Sequence, residues 1–168
     1  MKKTIIILAS ERSTGNTFSL CDLLSHAQQI DIIDLKQKNI GHFDYDFNNK
    51  DDDFLGLIAE VIQKYERIIF ATPVYWYSMS GRMKVFFDRL SDLLILKKDL
   101  CRQLRGKDMA VISCGSDAEI RDGFYMPFKE SAAYLGMTYI GDVHGWVDES
   151  GIAEEVKERI KHFGKLLT

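Results

Sequence analysis

The chain has 168 residues and a formal net charge of −3, with 46% hydrophobic and 28% charged residues. That length and balance predict one globular domain, residues 1–168, and give no electrostatic reason to expect nucleic acid or an anionic membrane as a partner. Two prolines and no repeat argue against disordered linkers; three scattered cysteines, Cys21, Cys101 and Cys114, without a CxxC, argue against zinc or iron–sulfur sites and fit reduced thiols in a cytoplasm.

The first element is the run Thr4–Ala9. Two lysines precede it, but its apolar part is shorter than the about 7–15 residues of an export signal, so it reads as a buried strand. No segment approaches the ~18 apolar residues of a membrane span. The next residues, ASERSTGNT, place Ser10, Arg12, Ser13, Thr14, Gly15, Asn16 and Thr17 at the start of a helix that begins near Asn16. Short hydroxyls, one guanidinium and a glycine that lets the backbone come close, set against the free N–H groups of a helix start, make a cradle for a phosphate monoester. A plain N-cap by Asn16 or Thr17 is the alternative reading. Neither GxGxxG nor GxxxxGK[ST] is present, so the dinucleotide and nucleoside-triphosphate loops are not indicated.

Strand two is expected at Ile30–Asp34. The long link Lys36–Asp53 follows, readable either as a solvated loop whose Asp51–Asp53 cap the next helix or as a flap or dimer contact. Phe54, Leu57, Ile58, Val61, Ile62 and Tyr65 then recur at helical spacing. Strand three, Arg67–Ala71, leads into TPVYWYSMSG, an aromatic loop spanning Thr72–Ser80. A second amphipathic helix carries Met83, Phe86, Phe87, Leu90, Leu93 and Leu94 inward. Strand four, Asp108–Ser113, ends in a third loop, Cys114–Asp122. A helix over Pro127–Leu135, strand five at Thr138–Val143 and a last helix from Ile152 to Leu167 complete the order, with Glu154 and Glu155 in its first turn and Lys161 and Lys165 in its last, which suits the helix dipole.

Strands one, three and four are continuous apolar runs, as in strands covered on both faces. Repeated strand–helix units therefore predict an α/β three-layer sandwich around a five-stranded parallel sheet in the order 2-1-3-4-5. In such a sheet ligands bind beyond the carboxyl ends of the strands, where strands one and three diverge. The phosphate-type loop, the aromatic loop and the third loop meet there.

The two longest signals together carry a resemblance. Ser10, Arg12, Gly15, Asn16 and Thr17, followed by Pro73, Tyr75, Trp76, Lys84, Phe86, Asp88 and Arg89, resemble in order and spacing the flavodoxin-like NAD(P)H-dependent FMN reductase family along nearly the whole chain. The resemblance implies a flavodoxin-like fold and FMN held across the three loops. Its phosphate would lie on Ser10, Arg12, Gly15, Asn16 and Thr17, its ring against Pro73, Val74, Tyr75 and Trp76, and its pyrimidine edge near Cys114, Gly115 and Ser116. It further implies NADH or NADPH as hydride donor to flavin N5, a small acceptor such as a quinone, and a homodimer bordering each site.

Several residues carry a second reading. Trp76 could fill a gap over the sheet edge, and Tyr77 and Met79 could serve a dimer interface. Lys84, Asp88 and Arg89 read as ion-pairing residues, with Asp88 and Arg89 on different sides of their helix. Cys114 invites a nucleophile reading, but Arg121 follows at Cys-x₆-Arg after strand four, and a buried thiol is the default. His144, near the end of strand five, stands close to the rim of the site. No acid–base pair or nucleophile has convincing spacing, as expected where a cofactor carries the chemistry, so no catalytic side chain and no metal ligand is assigned. Two rival functions are an electron-carrying flavodoxin, whose surface should be far more acidic than a net charge of −3, and an interaction domain that has lost its flavin, against which the intact phosphate-type loop stands.

Overall fold

A computed structural model describes residues 2–167. The apolar run after Lys3 forms β1 (Thr4–Leu8), and its side chains divide by parity, as a strand's pleat requires. Ile5 and Ile7 enter one core with Phe54, Ile58, Phe86 and Phe128; Ile6 and Leu8 enter the other with Leu20, Leu24, Ile160 and Phe163. β3 (Arg67–Tyr75) and β5 (Asp108–Gly115) divide in the same way, which is why their sequences read as unbroken hydrophobic runs. Helices α1 (Asn16–Gln28) and α6 (Glu154–Lys165) cover one face of the sheet. Helices α2 (Asp53–Lys64), α3 (Gly81–Leu96) and α5 (Met126–Leu135) cover the other, with the short α4 (Lys98–Arg102) beside α3.

The five long strands pair in parallel, with β2 (Asp31–Asp34) and β6 (Thr138–Asp148) on the flanks of β1, β3 and β5. The expected wholly parallel sheet of five strands is corrected by two additions that make it mixed and seven-stranded. β4 (Ser78–Met79) returns antiparallel along the end of β3, and β7 (Gly151–Ile152) does so along the end of β6. Each is a two-residue return of a strand that runs past the sheet body, too short to leave a hydrophobic pattern. For the same reason β3 extends to Tyr75 rather than Ala71, β5 to Gly115 rather than Ser113, and β6 to Asp148 rather than Val143. β6 also carries an irregularity near Ile140, where pairing passes from Tyr139 to Gly141 and Gly141 adopts φ 145°.

The link between β2 and α2 is fastened rather than free. Asp52 caps α2 by accepting from the Phe54 amide at 2.9 Å. Its other oxygen accepts from the Gly41 amide at 2.8 Å, and Arg89 of α3 pairs with the same carboxylate. Arg89 is buried, bonds Asp92 at 2.7 Å, and donates to the carbonyls of Gly41 and Asn49. Asp88 points the other way, toward Lys84 on the helix surface. Arg89 thus ties the link to the helix that starts at the aromatic loop.

Arg89→Met should cost about 3–5 kcal/mol of stability, because Asp52 and Asp92 would remain buried without their partner. Urea unfolding measures it. A loss below about 1 kcal/mol would mean that the cluster behaves as a solvated surface pair.

Candidate functional site

One serine joins the first two loops. Ser80 caps α3 by accepting from the Met83 amide at 3.1 Å, and its hydroxyl donates to the Ala9 carbonyl at 2.6 Å. Its own amide donates to Thr72 Oγ1 at 2.9 Å. Ser80 and Thr72 are both fully buried. The end of β1, the end of β3 and the start of α3 are therefore fixed to one another within a few ångströms. Neither residue was singled out from the sequence, although Ser-Gly before an apolar helical run is a start signal for α3.

The first loop keeps its helix start open. Gly15 is the N-cap of α1, and no side chain closes the cap. The capping roles considered for Asn16 and Thr17 are thus not taken: Asn16 Nδ2 instead reaches the Val147 carbonyl at 3.4 Å, and Thr17 is buried. A Cβ at Gly15 would stand 3.1 Å from Arg12 Cβ and 3.3 Å from Arg12 Nε, so glycine is what lets the arginine fold back over the loop. Ser10, also buried, accepts from the Arg12 amide at 3.3 Å. Free helix-start amides, one exposed guanidinium and small hydroxyl groups fit a phosphate monoester.

The second loop is a hairpin. Val74 pairs with Met79 and Tyr75 with Ser78, leaving Trp76 and Tyr77 as the turn. Both have positive φ, 48° and 62°, the signature of a turn that normally takes Asn-Gly. Trp76 is 92% exposed and Tyr77 69% exposed. The gap-filling reading of Trp76 therefore fails. So does the interface reading of Met79, which is buried in the core under α3. Pro73 is buried within β3, opposite Cys114 of β5, and Tyr75 is half exposed.

Between this hairpin and the third loop lies a cleft of about 320 Å³ lined by Val74, Trp76, Tyr77, Gly115, Ser116 and Phe124, among others. Asp117 and Arg121 border it and supply charge. The second and third loops are thus brought together as expected, while the residues of the first loop do not line this cleft. The side chain of Cys114 is turned into the core beside α1, and only its backbone belongs to the loop. Burial raises the Cys114 thiol to about 11, which removes it as a nucleophile at neutral pH. His144, placed at the rim from sequence, is instead buried beneath the third loop with both ring nitrogens bonded to protein. Sequence reasoning also missed Ser113 and Tyr125, which bond to one another at 2.6 Å under the same loop. Among the described residues there is no cluster of His, Cys, Asp and Glu that could hold a metal ion.

The family model described as NADPH-dependent FMN reductase matches residues 2–151. A relative from Bacillus subtilis (strain 168), named "Putative NAD(P)H-dependent FMN-containing oxidoreductase YwqN", is 30% identical over 153 residues, covering 85% of this chain and 84% of the relative. The solved structure of a Trp repressor binding protein from Bacillus subtilis superposes with a TM-score of 0.77 at 27% identity, over 99% of this chain and 98% of that one. The fold is shared as well with an FMN-dependent NADH-azoreductase from Bacillus anthracis, solved in complex with FMN, at a TM-score of 0.69 and 13% identity over 99% of both chains.

Replacing Trp76–Tyr77 by Asn-Gly should raise the melting temperature, because two side-chain-bearing residues leave the left-handed region and roughly 1 kcal/mol or more of strain goes with them. Thermal unfolding decides it. A lower melting temperature would mean that the two rings contribute packing that outweighs their backbone cost.

Proposed function

This chain belongs to the NADPH-dependent FMN reductase family and is an oxidoreductase that uses FMN and a reduced nicotinamide nucleotide, and from that premise we propose a substrate and a site for it. The acceptor is a small planar molecule such as a quinone. It takes electrons in the cleft between the aromatic hairpin and the third loop. The observation that carries this reading is the juxtaposition itself: an uncapped helix start with Arg12 over it, pinned through Ser80 to an exposed aromatic turn.

Bound FMN would supply the redox chemistry, taking hydride from the nicotinamide and giving electrons to the acceptor. The protein's part is to bind and orient. Ser10, Arg12, Gly15, Asn16 and Thr17 hold the phosphate, with the first amides of α1 donating to it and the guanidinium adding a charge. Of Pro73, Val74, Tyr75 and Trp76, Val74 and Trp76 would bear on the ring from the cleft wall, with Pro73 and Tyr75 setting the depth of the strand end and Trp76 supplying a flat apolar surface. The backbone of Cys114, Gly115 and Ser116 would face the pyrimidine edge, where amides could satisfy its oxygen and nitrogen atoms. Nicotinamide and acceptor take the open side of the cleft in turn.

The residues around the cleft also support a homodimer. Trp76 and Tyr77 are exposed at its mouth, and away from it Ile95, Leu96 and Tyr134 leave apolar surface at the C-terminal ends of α3 and α5. Exposed aromatic side chains at the mouth of a cleft are covered best by a second copy. No helix among the described residues is long and apolar enough to cross a membrane. A cytoplasmic location is part of the same proposal, supported by three free cysteines.

The purified protein supplied with FMN should retain the yellow flavin bands. Anaerobic NADH or NADPH should bleach them within a reaction cycle, and a quinone should restore them. Flavin that is retained but left oxidised by both nucleotides would overturn the reductase in favour of an electron carrier. In the same sample, light scattering should give about twice 19.3 kDa; a monomer at micromolar concentration would refute the pair.

A further inference from the structure

A chain of buried polar groups runs under the third loop. Tyr125 Oη lies 2.6 Å from Ser113 Oγ, Ser113 Oγ lies 2.8 Å from His144 Nδ1, and His144 Nε2 lies 3.0 Å from the Asp117 carbonyl oxygen. Ser113 is fully buried and His144 is 7% exposed. The direction of each bond follows from its last member. A carbonyl can only accept, so Nε2 carries a proton. Desolvation, aided by the nearby Arg159, holds the imidazole below its ordinary pKa against the opposing pull of Asp117, so the ring is neutral at pH 7. Nδ1 then accepts from Ser113, and Ser113 accepts from Tyr125. Three side chains from β5, the start of α5 and β6 are thereby committed to orienting one hydrogen bond to the loop.

The ring also supports the loop by contact. A Cβ at Gly115 would stand 3.0 Å from His144 Cε1 and 3.2 Å from Nε2, so a side chain there would lift the loop off the ring. Beyond Gly115 the loop is exposed. Ser116 Oγ and the Glu119 amide bond to the Asp117 side chain, which shapes the turn locally. The tie from Asp117 down to the sheet is the bond from His144.

We propose that His144 is a positioning residue for the cofactor site: through the Asp117 carbonyl it fixes the backbone of residues 115–117, the wall of the cleft that faces the pyrimidine edge of FMN. The inference rests on the proposed placement of that edge at the third loop. Ser113 and Tyr125 act through His144 by keeping its Nδ1 an acceptor. None of the three needs to touch the flavin. The family resemblance points to none of them, since they lie outside the motifs that carry it.

The test compares wild type with His144→Leu, His144→Gln and Ser113→Ala. A glutamine can place an N–H and a carbonyl oxygen close to where Nε2–H and Nδ1 stand, so it preserves the hydrogen bonds without the ring. Two quantities are read: the Kd for FMN from quenching of flavin fluorescence, and amide hydrogen exchange of residues 115–119 in the FMN-free protein. H144L should raise Kd by about tenfold, the scale of one lost buried hydrogen bond, and should speed exchange in the loop. H144Q should recover most of both. S113A should shift both in the same direction by less, and it decides the matter should H144L not fold. Unchanged Kd and exchange in H144L or, failing that, S113A would overturn the inference alone. H144Q behaving as badly as H144L would overturn it too, since ring packing rather than the hydrogen bond would then hold the loop. Failure of the wild type to bind FMN would overturn the proposed function and this inference with it.

Discussion

The site depends on the hydrogen bonds of Ser80. A hydroxyl that caps α3 and at the same time donates to the Ala9 carbonyl makes the start of one helix and the end of β1 a single rigid point. Thr72 fixes the same residue from the side of β3. Without that point, the phosphate-type loop and the aromatic hairpin would be two independent loops hung on adjacent strands. With it, their separation is set by side chains that have no freedom of their own, because both are fully buried. Precise separation is what a ligand gripped at one end and stacked at the other requires, since a misplacement of an ångström at either end is felt in the reaction.

The remaining polar interior extends the same principle outward. Arg89 binds the β2–α2 link to α3 through Asp52 and Asp92. His144 binds the third loop to β5 and β6. In each case a charged or polar side chain buried in the sandwich donates to backbone carbonyls of a surface segment. Burial makes such bonds costly to break, because an abandoned partner cannot turn to water. Three exposed segments at the carboxyl edge of the sheet are therefore held by buried groups. The hairpin tip differs: Trp76 and Tyr77 stand exposed in a two-residue turn with positive φ at both positions.

The sequence made the five long strands and their helices legible because both faces of β1, β3 and β5 are covered, and double coverage leaves an unmistakable run of Ile, Val and Ala. Ser10 to Thr17 and Pro73 to Trp76 stand out in the sequence as loops, because short hydroxyls or aromatics in such number are more than a turn needs. What escaped was of two kinds. β4 and β7 are two residues each, below any period that pattern can show, and they changed a parallel sheet into a mixed one. Ser80, Ser113, Tyr125 and His144 act through partners distant in sequence, as with Ser80 and Ala9 or Ser113 and His144, so no local spacing announces them. His144 was placed at the rim because its position along the strand is right; that its ring turns inward is decided by Gly115, whose missing side chain leaves room for it.

The protonation chemistry of the interior argues for a site that leaves the reaction to its cofactor. Burial pushes the Cys114 thiol to about 11 and the Tyr125 phenol higher still, and it pushes the His144 imidazole down. Each of these groups near the cleft is thereby held in its neutral form at pH 7, and each has its hydrogen-bonding capacity turned toward the protein. A hydrolase or transferase working through one of these groups would need the opposite: a thiol pushed down, or an imidazole poised near neutrality with a free nitrogen facing the cleft. An oxidoreductase whose hydride and electrons travel through a bound flavin needs no such group. It needs walls that do not move when charge does, and neutral, mutually bonded side chains beneath the backbone provide them.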